Sequence, residues 1–172
     1  FLTGANLGSM GFQLPLLGLL TLAMLAPILS GGLNLAIVYT ANICGLTLAW
    51  TIMNFGGAEA GIHIFILGCV AAVIVGALAG AIMGAVVAYV GAHPILVSLA
   101  MMIFLRGLGE FLTKGGDISG FPPYLAVLGH GSVLGVPVPL ILFGVCAVVW
   151  HVLLTRTRHG FAIDGKIGLN RD

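Results

Sequence analysis

The first 58 residues contain no Asp, Glu, Lys or Arg, and Glu59 is the only such residue before Arg106. A second uncharged run extends from Ile118 to Thr155. No water-soluble fold buries that much apolar chain, whereas a bilayer solvates it. Charged residues make up 6% of the 172-residue chain and hydrophobic ones 60%, against about 25% charged in soluble domains. A soluble enzyme, a disordered tail and a nucleic-acid binder are excluded. The long apolar runs lack the polar alternation of a membrane β-barrel. The expected class is therefore an all-α membrane protein, a polytopic helical bundle.

A helix needs about 20 apolar residues to cross the hydrocarbon core. Five runs qualify: 11–29, 33–53, 62–90, 94–112 and 137–155. Pro94 opens the fourth at a favoured first-turn position. Residues 1–155 thus form a transmembrane region, followed by a loop over 156–172. That tail carries Arg156, Arg158, Lys166 and Arg171, while Lys114 and Asp117 cancel in the connection 113–136. The positive-inside rule places the tail in the cytoplasm and 113–136 outside. The Gly91–His93 turn is then inside, the Glu59 loop outside and Phe1 outside. An odd number of spans with an external start predicts a preceding helix.

Small residues mark a packing seam on the third span. Gly68, Ala72, Gly76, Gly80, Gly84 and Ala88 recur every four residues, which lets two helix backbones approach in lipid. Four residues turn about 400°, so the seam drifts and its partner should cross in a right-handed sense. The three cysteines, Cys44, Cys69 and Cys146, are far apart in apolar runs and read as small buried thiols.

Polar groups inside the spans are the places to look for function. Ser30, Gly31 and Gly32 separate two apolar runs by too little chain for an aqueous loop. Irregular backbone at membrane depth is tolerated only where protein or water covers it, and such breaks border transport routes; a tight turn at the interface is the alternative. The second helix is expected to begin near Leu33, with Ser30 or Gly32 near its cap. Asn34 and Asn42 then share one broad face, suited either to hydroxylated solutes or to inter-helix hydrogen bonds. Arg106 and Glu110 stand one turn apart on the fourth span, fit to pair with each other. Arg106 lies about 9 Å from the outer end, where it anchors the helix or lines an outer vestibule. The five histidines form no ligand set. The Gly8-Ser9-Met10 stretch has no base to activate the serine. Neither a catalytic residue nor a bound metal or cofactor is expected.

Three stretches together resemble one family. Ser30-Gly31-Gly32-Leu33-Asn34-Leu35 is similar to the "SGGIDLS" segment of the ribose-type sugar permeases of ABC importers. Pro94–Gly107 followed by Thr113–Pro122 resembles their "PxFIxTLGTxxxxRG…TGGxxISGLP" region. Thr155–Asp172 resembles their "RTRFGRxxxAIGGNxxAA" loop. The departures are Asn34 for the usual Asp, Ala36 for Ser, Met83 for the Asn before Gly84, and Ala100-Met101 for Gly-Thr. They make the route less polar than the common pattern.

The resemblance implies roughly the first half of a permease of about ten helices in the bacterial cytoplasmic membrane. It implies a second permease subunit, identical or not, two cytoplasmic ATPase subunits that bind ATP and Mg, and an extracytoplasmic solute-binding protein. Cargo would be a monosaccharide or similar small polar solute, with Ser30–Leu35 and Asn34 near the pathway. Gly168, Asn170, Arg171 and Asp172 would begin the coupling helix that touches the ATPase; a solvated loop touching lipid is the bland alternative. A branched-chain amino acid or nucleoside is a sister cargo. Secondary transport and an inert membrane scaffold are readings of another class. Mid-membrane carboxylates, which a secondary transporter uses as relays, are missing from the interior of these spans, since Glu59, Glu110 and Asp117 sit at ends or loops.

Overall fold

The computed structural model describes residues 4–29, 32–133 and 136–156. The helices are α1 (Gly4–Leu29), α2 (Ile37–Phe55), α3 (Ile62–Ala85), α4 (Pro94–Thr113), α5 (Pro123–His130) and α6 (Val138–Arg156). A 3-10 turn at Gly57–Glu59 precedes α3, and a π turn at Val86–Val90 extends it. Five of the helices are long and apolar enough to cross a membrane. The protein is an all-α, multi-pass membrane protein. Large apolar side chains face outward along these spans, with Trp50 62%, Val73 71% and Val148 63% exposed, as lipid contact requires.

Two boundaries differ from expectation. α2 begins at Ile37 and not near Leu33. The carboxamide oxygen of Asn34 accepts a hydrogen bond from the Ala36 N–H at 3.0 Å, and this local turn competes with helix formation. Asn34 therefore precedes the helix and does not share a helical face with Asn42. Neither Ser30 nor Gly32 caps α2, whose N-cap is Ala36. The 113–136 connection is not plain loop: it holds α5, opened by Pro123 in its first turn. It also holds a two-residue antiparallel pairing of β1 (Ser132–Val133) with β2 (Val136–Pro137). α1 extends back to Gly4.

The chain forms two compact units, Leu33–Leu125 and Phe1–Gly32 with Ala126–Asp172. In the first, α2 lies antiparallel to α3 and parallel to α4. Gly68 meets Leu48 and Thr51, whereas Gly76, further along α3, meets Cys44, earlier on α2. Ser98 lies at the level of Leu33, and Gly109 at the level of Ile43 and Leu46. Ile52 is fully buried at the centre. In the second unit α1 and α6 run parallel, with Gly11 beside Pro137 and Gly18 beside the Phe143 ring. Both arrangements agree with a chain that reverses at each crossing.

The packing seam is used in part. A Cβ on Gly68 would stand 2.7 Å from Leu48 Cδ1, and one on Gly76 would stand 3.0 Å from Cys44 Sγ. Gly80 and Gly84 have nothing within 4 Å of that position. The seam holds α2 over its first half, as close approach of small residues in lipid allows. Cys44, Cys69 and Cys146 are free thiols, half-buried within the chain.

Candidate functional site

The non-helical segment before α2 is tied down at two points. Asn34 closes its own turn through Ala36, and the buried Ser98 on α4 donates its hydroxyl to the Leu33 carbonyl at 3.2 Å. Ser98 also lies 3.0 Å from the Ile95 carbonyl. Gly32 donates its N–H to the Pro27 carbonyl at 2.9 Å, back onto the last turn of α1. Ser30 and Gly31 lie outside the described residues. Asn34 is half-buried, and its oxygen is engaged by the backbone.

Above this segment, α2 and α4 diverge into an open polar recess of about 630 Å³. α2 contributes Tyr39, Asn42 and Gly45; α4 contributes Arg106, Gly109, Glu110 and Thr113; the loop after α4 contributes Gly115, Gly116 and Asp117. Arg106 Nε donates to Glu110 Oε1 at 3.0 Å, with the two side chains 63% and 65% exposed. The Tyr39 hydroxyl stands beside the same guanidinium. Thr113 donates its hydroxyl to Gly109 of its own helix at 3.0 Å. Asn42 is exposed to the recess.

Glycine makes the recess possible. A Cβ on Gly109 would stand 3.4 Å from Leu46 Cδ1 and 3.5 Å from Ile43 Cδ1, so α4 rests close on α2 there. The loop leaves α4 through Lys114 at φ 52° and Gly115 at φ 70°. Gly115 N–H returns to the Glu110 carbonyl at 3.1 Å, a left-handed helix stop. That turn swings Asp117 back over the end of α4. An apolar cavity of about 310 Å³ adjoins, lined by Ile43, Trp50 and Leu112 and sharing Leu46, Thr113 and Ile118 with the recess.

Of the residues singled out from the sequence, Asn42, Arg106 and Glu110 meet in one recess, whereas Asn34 belongs to the turn beneath it. Gly168, Asn170, Arg171 and Asp172 lie outside the described residues. Tyr39, Gly109, Thr113, Asp117 and Ser98 were not anticipated. The signal for most was present. Arg106, Gly109, Glu110 and Thr113 fall at i, i+3, i+4 and i+7, one helical face, and Tyr39 and Asn42 are three apart. Nothing in the sequence announced that α2 would supply the opposite wall.

Residues 6–171 match the family model described as branched-chain amino acid transport system / permease component. The chain belongs to this permease-component family. It is similar to the autoinducer 2 import system permease protein LsrD of Yersinia enterocolitica, 29% identical over 150 residues, or 84% of this chain and 43% of that protein. The protein of the same name from Photorhabdus laumondii is 28% identical over the same shares. The chain thus spans less than half the length of the curated relatives it matches. No solved structure matches it. The permease resemblance carried by the three sequence stretches is met by this family membership.

Proposed function

We propose that this chain is part of the permease subunit of an ATP-driven importer carrying a monosaccharide or similar small polar solute across the bacterial cytoplasmic membrane. The observation that carries the reading is the polar recess between α2 and α4, which sets hydrogen-bonding side chains inside otherwise apolar spans. Ionisable groups there are costly in lipid and belong with a water-filled route. The family and the import systems named for its relatives support the same reading. The chain itself would change no bond and hold no cofactor. ATP and Mg would sit on two cytoplasmic ATPase subunits, whose closure biases the access states of a permease pair. An extracytoplasmic binding protein would deliver the solute, and 156–172 would carry the coupling element.

The test is uptake by the complete complex in proteoliposomes. Accumulation of labelled sugar should require ATP on the cytoplasmic side and the loaded binding protein, and Asn42→Leu should reduce it while the complex stays assembled. Uptake that depends on a proton or sodium gradient without ATP rejects the proposal. A branched-chain amino acid is the second reading. The family description and the apolar cavity beside the recess favour it, and leucine competing better than a sugar would select it.

A further inference from the structure

We propose that the Arg106–Glu110 pair is a binding site for two adjacent hydroxyls of an uncharged solute, with Tyr39 and Asn42 completing it from α2. The proposal deepens the transport reading above and rests on it for the route by which solute arrives. The pair does not explain itself as a stabilising device. It joins residues of one helix on an exposed surface, with Arg before Glu, the weaker order. Yet it places the only two charged groups of the α4 span together in the wall of the recess.

The geometry suits a diol. The Nε–Oε1 contact of 3.0 Å engages one guanidinium N–H and one carboxylate oxygen. A guanidinium has five N–H donors and a carboxylate about four acceptor sites, so both retain capacity. Neighbouring gauche hydroxyls of a polyol lie about one hydrogen-bond length apart, matching the spacing of the pair. One hydroxyl donates to Glu110 while its neighbour accepts from Arg106, and the two protein charges go on neutralising each other. An anionic solute would have to displace Glu110 and also face Asp117. A cationic one would have to displace Arg106. Gly45, Gly109 and Gly116 keep the walls low enough for a sugar ring to lie against them.

The test places a reporter at Gly45, where an added Cβ has nothing within 4 Å. Gly45→Cys, in the full permease complex lacking Cys44, Cys69 and Cys146, is reacted in detergent with a water-soluble maleimide. D-ribose should slow the labelling. 2-Deoxy-D-ribose, which lacks one member of the diol, should need about tenfold higher concentration for equal protection. Glu110→Gln keeps the size of the side chain and removes its charge; it should weaken protection by ribose about tenfold and erase the difference between the sugars. Arg106→Lys is the second variant and should do the same. Equal protection by the two sugars, no protection by ribose, no labelling at all, or unaltered protection in both variants overturns the proposal. Better protection by leucine than by ribose overturns it as well. ATP-independent uptake would instead overturn the transport reading and leave the diol result standing.

Discussion

The hydroxyl of Ser98 donates to the carbonyl of Leu33 across 65 positions of sequence. The bond fastens α4 to the extended stretch that leads into α2, at a level where water is scarce. A hydroxyl holding a carbonyl that no helix satisfies contributes about 1 kcal/mol. Ser98→Ala should lower the thermal stability of the detergent-solubilised permease by about that amount, and Ser98→Thr should restore most of it. Thermal unfolding monitored by thiol exposure measures both.

Asn34 provides an acceptor to its own turn, so its replacement separates shape from transport. Asn34→Asp keeps the acceptor and should preserve stability. Asn34→Ala removes it and should cost roughly 0.5–2 kcal/mol, as loss of comparable helix-start bonds does. Asn34→Leu should also impair uptake in an assembled complex. Stability and uptake are to be measured on the same preparations; uptake lost with Asn34→Asp at full stability would give the carboxamide nitrogen a direct part in the route.

The glycine seam on α3 predicts a contrast. Gly68→Leu forces a side chain into Leu48 and Thr51 and should destabilise by roughly 1–3 kcal/mol. Gly80→Ala enters open space and should leave stability unchanged or raise it slightly, through better helix propensity. Comparing the two variants by thermal unfolding distinguishes a seam filled along half its length from one filled throughout.

The charges set the sidedness. Single cysteines at Ser119 and at Thr157, in a background lacking the three natural ones, should react with an impermeant reagent from opposite faces of the membrane. Reaction from the same face contradicts a cytoplasmic tail.

Lys114 adopts φ 52° where the chain leaves α4, a conformation that costs a side-chain-bearing residue about 1–2 kcal/mol. Lys114→Gly relieves it, offset in part by the greater freedom of glycine when unfolded, and should be neutral to mildly stabilising. Lys114→Val should destabilise. Melting curves of the two variants, compared side by side, check the sign.

Hydropathy made the spans legible because lipid imposes one simple rule on every residue of a crossing helix. The start of α2 escaped that rule. Leu33, Leu35 and Ala36 are as apolar as the helix they precede, and only the bond from Ala36 to Asn34 separates them from it. The Arg106–Glu110 pair could be read from spacing within one helix. The recess could not, because its depth depends on Gly109 lying against Ile43 and Leu46, and a contact between helices leaves no period in either. α5 and the β1–β2 pairing sit in a connection whose length was plain. The proline that begins α5 was a usable sign.

The π turn at Val86–Val90 has a consequence for insertion and deletion. Such a turn holds one residue more than an α-helix needs for the same rise. Deleting one residue there would return the segment to ordinary α geometry and rotate the chain beyond it by about 100°. α3 therefore ends with slack, discharged at Gly91, whose φ of 70° turns the chain toward α4. The angular setting of α4, and with it the direction in which Arg106 and Glu110 point, can shift by a residue's length of chain without disturbing the α2–α3 seam.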